Sequence, residues 1–258
     1  MGSNQIIKQT KFLLGCVLLL IILFMGSILL IMRNEVGKVK TSPARSSTVT
    51  VLPTYTPRLP QGTPQPLFSD DFSSNSKGWS IGNVPGYTRV LKDTTLMLSD
   101  TNHNVLVESL PTNTIFDDFS ITTTFTLIQG DEHDSVGLYL RGDSNLDHDY
   151  RVDIFGNNTY AISKESLSAS NDLEQTFLVH PSPTPLLKPK GLQNTLTVLM
   201  KGPTMVLQIN GTIVHSVTDS DYRHGQVALF VKNGTTSSGV TAAFHNIVIY
   251  PVSDSLPL

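Results

Sequence analysis

The chain has 258 residues, 18 Lys+Arg against 21 Asp+Glu, 39% hydrophobic residues and a single cysteine. A near-neutral balance without a basic stripe excludes the electrostatic footprint of a nucleic-acid binder. One cysteine excludes a disulfide framework and any multi-cysteine zinc or iron–sulfur centre.

In chain order, residues 1–11 form a short tail ahead of Phe12–Met32, which reads FLLGCVLLLIILFMGSILLIM with no charge and no proline. About 20 apolar residues in a helix cross the hydrocarbon core, and a helix satisfies all its own backbone groups there. Cleaved signal peptides have shorter apolar cores, about 7–15 residues, and end at small residues. This run ends instead in Met32-Arg33-Asn34-Glu35. A lipoprotein reading of Leu13-Leu14-Gly15-Cys16 fails because most of the apolar stretch follows Cys16, and Ile6 stands where a myristoylation signal needs Ser or Thr. The segment is expected to be an uncleaved, single-pass anchor with the lipid bilayer as its partner. Lys8 and Lys11 precede it, while Arg33, Lys38, Lys40 and Arg45 follow. The positive-inside rule taken alone puts the C-terminal domain in the cytoplasm. The linker and the domain have the character of surface-displayed modules, and the expectation is an extracytoplasmic domain.

Residues 33–66 carry Pro43, Pro53, Pro57, Pro60, Pro64 and Pro66 among many Ser and Thr. Proline fixes φ and removes a donor, so this stretch reads as a disordered, semi-rigid linker rather than a packed element.

Residues 67–251, followed by a tail at 252–258, have apolar residues with period two. Val105–Val107, Phe119–Leu127, Val136–Arg141 and Tyr150–Phe155 each read as a strand. Thr195–Met200, Met205–Ile209, Thr212–Val217, Val227–Val231 and Val240–Tyr250 continue the series. Lys201-Gly202-Pro203, Asn210-Gly211 and Asn233-Gly234 supply turns, and Asn-Gly between alternating runs is a strong hairpin signal. No stretch has a helical period. The pattern predicts an all-β, antiparallel sandwich or barrel.

The order of motifs resembles a family. Phe68-Ser-Asp-Asp-Phe-Ser73, Gly78-Trp79, Phe116-Asp-Asp-Phe-Ser-Ile121, Val136-Gly-Leu-Tyr-Leu-Arg141 and Asp149-Tyr-Arg-Val-Asp-Ile154 come first. Asn194–Val198, Met205–Gly211, Gly225–Leu229 and Thr241–Ile249 follow. The series resembles the concanavalin A-like lectin/glucanase jelly rolls, and within them the laminin G-like modules and 3-keto-disaccharide hydrolase-type domains. The resemblance implies a two-sheet jelly-roll sandwich with one concave sheet, and it does not by itself fix an activity.

Alternation places Val136, Leu138, Leu140, Tyr150, Val152 and Ile154 in the core. It leaves Tyr139, Arg141, Arg151 and Asp153 to share the concave surface, where a ring beside Arg and Asp suits a sugar. The same residues equally read as a cross-strand ion pair on a solvated sheet. Trp79 reads as core. The Glu-x-Asp-x-x-Glu strand of the fold's glucanases is absent, since Glu108, Glu132, Glu165 and Glu174 are the domain's only glutamates and are not so spaced. The doublets Asp70-Asp71 and Asp117-Asp118 point to opposite faces and are poor catalytic pairs.

For metals, none of the seven histidines has the i, i+4 spacing of a helical zinc site. The acid-rich loops Asp131–Asp134 and Asp143–Asp149 lie at opposite ends of one strand. The only cofactor option is structural calcium, with Asp70 and Asp71 as its candidates. Asn157, Asn210 and Asn233 begin Asn-x-Thr triplets, at spots where turns call for Asn anyway.

The expectation is thus a membrane-anchored, extracytoplasmic module recognising carbohydrate or cell-envelope polysaccharide on its concave sheet. The alternatives are a glycoside-processing hydrolase of the 3-keto-disaccharide hydrolase type and a laminin G-like domain with protein partners.

Overall fold

The computed structural model describes residues 64–252. The expected span Phe12–Met32, the linker up to residue 63 and residues 253–258 lie outside the described residues. Within them the regular elements are all strands. In chain order these are β1 (Phe68–Asp70), β2 (Gly82–Val84), β3 (Tyr87–Lys92), β4 (Thr95–Asp100), β5 (Val105–Ser109), β6 (Phe119–Gln129), β7 (Ser135–Gly142) and β8 (Asp149–Phe155). Then come β9 (Thr159–Leu167), β10 (Leu173–Pro183), β11 (Gln193–Lys201), β12 (Thr204–Ile209), β13 (Thr212–Thr218), β14 (Gln226–Lys232) and β15 (Val240–Pro251).

They form two antiparallel sheets. One runs β13-β12-β11-β6-β15-β4-β3-β2 with β1 paired to β15, and the other runs β10-β9-β8-β7-β14-β5. This is the jelly-roll sandwich implied by the motif order. The inner faces meet in one core that includes Val136, Leu138, Leu140, Tyr150, Val152 and Ile154 from β7 and β8. Phe119, Phe125 and Phe244 come to it from the other sheet. Burying each such side chain contributes about 1.5–3 kcal/mol. Trp79 is buried in it, edge-on to Phe72 at 5.3 Å, and its indole N–H donates to Asp70 Oδ2 at 2.7 Å.

Turn chemistry sorts the connections. Asn210 and Gly211 both have positive φ, 50° and 82°, and join β12 to β13 as a tight hairpin. Asn233-Gly234 makes no hairpin, because β14 and β15 belong to different sheets. Its Asn side chain is buried and its amide donates to the Asp100 carbonyl.

The two sheets differ on their outer faces. β6 alternates buried and half-buried residues, as expected of a strand with one wet face. β7 is buried at every position and β8 at all but the last. The outer face of the six-stranded sheet is therefore filled, and what fills it defines the site.

Candidate functional site

Residues 149, 151 and 153 of β8 point outward together, beside Tyr139 of β7, Ser163 and Glu165 of β9, and Phe230 and Lys232 of β14. Arg151 is their centre. Its Nη2 donates to Asp153 Oδ1 at 2.7 Å, and its Nη1 to Glu165 Oε1 at 3.0 Å and the Tyr139 hydroxyl at 3.2 Å. The guanidinium carbon stacks 4.3 Å from the Phe230 ring centre and 5.4 Å from that of Tyr139. Gly137 makes this possible. A Cβ there would meet the Val152 carbonyl at 1.8 Å and the Phe230 ring at 2.8 Å. Ser135 Oγ donates to Asp153 Oδ1 at 2.6 Å, bracing the pair from β7.

Burial works against the Arg151 charge, but Asp153, Tyr139 and Glu165 more than offset it and hold the guanidinium above its ordinary value. Burial pushes the Tyr139 hydroxyl up, with Arg151 opposing. Asp149 stands directly opposite Glu165 across β8–β9, fully buried, and neither of its oxygens has a hydrogen-bond partner. Burial first and the Glu165 carboxylate second push its pKa up to about 9, so it carries a proton at neutral pH. Asp153 Oδ2 and Glu165 Oε2 also lack partners.

The structure brings Tyr139, Arg151 and Asp153 together and leaves Arg141 out. Arg141 is the extra residue of a β-bulge, unpaired between Leu140 and Gly142 and at φ 55°. The bulge breaks the alternation that placed its side chain beside Arg151. The guanidinium instead donates to the backbone carbonyls of Asp117, Gly202 and Tyr222 and to Asp118 Oδ1. Burial holds its pKa below the ordinary arginine value, with Asp118 opposing. Arg141 ties β7 to the β11–β12 turn.

At the opposite end of β7 the outer face opens into a cleft of about 500 Å³. Asp153 and Lys232 reach it from the sheet, Phe155, Asn157 and Thr159 from the β8–β9 hairpin, and Gln175, Phe177 and Pro181 from β10. Glu132, His133 and Gly234–Thr236 supply the remaining wall. The Lys232 ammonium has no hydrogen-bond or ion-pair partner among the described residues. Burial and the neighbouring Arg151 charge hold its pKa below the ordinary lysine value. The cleft thus offers two rings, a free ammonium and amide and hydroxyl groups. That composition suits a polyhydroxylated ligand with apolar C–H faces.

The other predicted residues lie elsewhere. Asp70 accepts the Phe72 N–H on one oxygen and the Trp79 indole on the other, at 2.9 and 2.7 Å. Asp71 is exposed and accepts the Ser73 N–H at 3.0 Å. Neither meets a third acidic or His ligand. Among the described residues the single group of three such side chains is Asp143, Asp147 and His148, in the β7–β8 loop. Asn210 and Asn233 use their side chains to fix turns.

Sequence reasoning missed Asp149, Glu165, Lys232 and Phe177. Asp149 shares the parity of Arg151 and Asp153, so starting the strand one residue earlier would have included it. Lys232 likewise shares the parity of Phe230. Glu165 and Phe177 lie in β9 and β10, whose Ser-Lys-Glu-Ser and Glu-Gln-Thr-Phe stretches give no clean alternation.

Comparison with known proteins places the fold. The 3-keto-alpha-glucoside-1,2-lyase-like domain model matches residues 63–250. The chain belongs to that family. No curated protein matches it in sequence. Its fold is similar to that of the carbohydrate-binding module CBM66 from Bacillus subtilis, at 16% identity and TM-score 0.51, over 67% of this chain and 95% of that one. It is similar also to a glycoside hydrolase family 16 endo-glucanase from Bacteroides ovatus, at 12% identity and TM-score 0.53, over 71% and 99%. A kappa-carrageenase from Pseudoalteromonas carrageenovora, crystallised with an oligosaccharide, aligns at 9% identity and TM-score 0.51, over 77% and 99%. At these identities the likeness establishes the jelly roll.

Proposed function

We propose that the domain is a carbohydrate-binding module, carried on the Pro/Ser/Thr linker and anchored outside the cytoplasm by residues 12–32. The observation that carries the reading is the end cleft, where the unpaired Lys232 ammonium lies among Phe155, Phe177 and the side chains of Asn157 and Gln175. The rings stack on sugar C–H faces, and the ammonium and amides take hydroxyls. Arg151, Asp153 and Tyr139 hold the floor rather than touch the sugar, since each is at most 4% exposed. The family and the carbohydrate-active folds around it support this class of ligand.

The test is a glycan array probed with the full chain in mild detergent, with and without calcium. Specific binding that falls in Phe177→Ala and Lys232→Gln is expected. A clean negative on folded protein would turn the reading toward a protein partner of the laminin G-like kind. Protease added to whole cells should remove a C-terminal tag, and a protected tag would refute the exterior placement.

A second reading, an enzyme of the family's glycoside-cleaving type, is favoured by Asp149 opposite Glu165. A carboxyl held neutral beside one gripped by arginine is the division an acid/base pair requires. Both are at most 2% exposed, which ranks this second. Turnover of a chromogenic or 3-keto glucoside by the purified chain, lost in Asp149→Asn, would reverse the order.

A further inference from the structure

We infer that residues 143–148, the loop joining β7 to β8, form a hinged lid that opens the buried Asp149–Glu165 pair to solvent and substrate. The inference rests on the second reading above, because it supplies the access that the burial of the pair withholds.

The lid closes by one apolar side chain. A Cβ built on Gly142 would lie 2.3 Å from Leu146 Cδ2 and 3.4 Å from Asp149 Cβ. Leu146 therefore folds back over bare backbone, beside Asp149, and packs on the outer-face cluster of Tyr139, Ala228 and Phe230. Its φ of 55° lies in the left-handed region that favours glycine, so the plug is seated against backbone strain. Beside it, both Asp149 oxygens and Glu165 Oε2 have no hydrogen-bond partner. Buried polar groups are ordinarily satisfied, and neighbouring exceptions on one sheet face point to partners that arrive from outside.

The loop is built to move as one body. The Asp143 N–H donates to the His148 carbonyl at 3.2 Å and closes its base. The Leu146 N–H donates to the Asp143 carbonyl at 3.2 Å, and Asp143 Oδ1 accepts the Asn145 and Asp147 N–H groups. His148 Nδ1 lies 2.8 Å from Asp147 Oδ1 and 3.2 Å from Asp143 Oδ2. Among the described residues, every hydrogen bond of 143–148 closes inside the loop. Its ties to the body are the Leu146 plug and an edge-on meeting of the His148 and Tyr222 rings, 6.3 Å between centres. The turn between β6 and β7 is held quite differently: Asp134 accepts the Gly234 N–H and the Ser237 hydroxyl, which staples it to another segment. Beside the β7–β8 loop a cleft of about 450 Å³, bordered by Asp143, Ser144, Arg223 and His224, leaves room for the swing. Loops of this kind gate enzyme sites on the μs–ms timescale.

The experiment follows opening in the full chain in mild detergent, with Cys16→Ser as background, by maleimide labelling of single cysteines under native conditions. Ala228→Cys reports from the cluster under the plug. Ala242→Cys, equally 0% exposed but inside the core, reports global unfolding. Ala228→Cys should label at least about tenfold faster than Ala242→Cys, an opening about 1.4 kcal/mol easier than unfolding. Gly142→Ala props Leu146 off the sheet and should speed Ala228→Cys by a further factor of about five or more, with Ala242→Cys and the unfolding midpoint little changed. Equal rates at the two cysteines, or an Ala228→Cys rate that Gly142→Ala does not move, would overturn the lid. Nitration of Tyr139 against Tyr150 in the parent chain makes the same comparison with no cysteine in the site, and equal rates there would overturn it too. Turnover of the 3-keto glucoside is read separately. A mobile lid without turnover would withdraw the enzymatic reading and leave the lid, and turnover with a fixed loop would do the reverse.

Discussion

The centre and the end of one sheet face use the same residue types to opposite effect. At the centre, the charge of Arg151 is answered by Asp153 and Glu165 and covered by two rings, and the group is shut off from solvent. At the end, Lys232 sits on the same face, two residues beyond Phe230, where Asp153 and Glu165 act on it only at a distance and no carboxylate among the described residues forms an ion pair with it. The difference follows from depth. A buried cation must be paired inside the fold or it is not tolerated, whereas a cation at a cleft can leave its partner to solvent or to a bound molecule.

The first way to break the comparison is to remove the central cation. Arg151→Met strands the Asp153 and Glu165 carboxylates in a buried site, and loss of one partner from such a pair costs about 3–5 kcal/mol. Denaturant unfolding measures it. A loss under about 1 kcal/mol would mean that the centre is not a closed ionic unit.

Asp149 sharpens the same contrast through pH. Its folded pKa, about 9, lies above the ordinary carboxyl value of 3.8, so the folded state keeps a proton that the unfolded chain releases. Its contribution is fully present below the unfolded value and is lost as pH rises through 9. Asp149→Asn cannot ionise. The stability difference between the variant and the parent should therefore widen in the variant's favour from pH 5 to pH 9, by no more than about 1.4 kcal/mol per pH unit, and then level off. A difference that stays flat over that window would show that Asp149 is already ionised in the folded chain.

Arg141 tests the other end of β7. Its guanidinium holds three backbone carbonyls and Asp118, so Arg141→Ala should cost about 2–3 kcal/mol and leave any glycan affinity intact. A large loss of affinity with little loss of stability would restore it to the ligand site.

Arg141 also marks where the sequence stops being legible. Period-two patterning located β5, β6, β7, β8, β11, β12, β13, β14 and β15, and it placed Tyr139, Arg151 and Asp153 on one face, because alternation follows directly from extended backbone. A bulge is a one-residue exception with no hydrophobic signature, and Leu140-Arg141-Gly142 reads like any strand end. β9 and β10 escaped for a different reason. Past Tyr160 and Ile162, which join the core, β9 turns Lys164 toward Asp219 and Asp221 on one side and Glu165 toward Arg151 on the other, so ion pairs replace apolar residues on both faces of its second half. β10 is an edge strand with two register irregularities and exposed Glu174, Gln175 and prolines, which protect it from pairing and erase the pattern.

Phe177 of that edge strand carries the smallest expected effect and the most specific one. It is half-buried, lines the cleft and touches the His180 ring at 5.1 Å, so truncation removes a wall without emptying the core. Phe177→Ala should shift stability by less than about 1 kcal/mol, as surface changes away from a core usually do. Loss of one stacking ring, worth about 0.5–1.5 kcal/mol, should weaken saccharide binding about three- to tenfold. The centre predicts the reverse ratio, with large losses of stability on substitution there. If Phe177→Ala instead unfolds the chain and spares binding, the end of the sheet is as structural as its centre, and the division between the two regions fails.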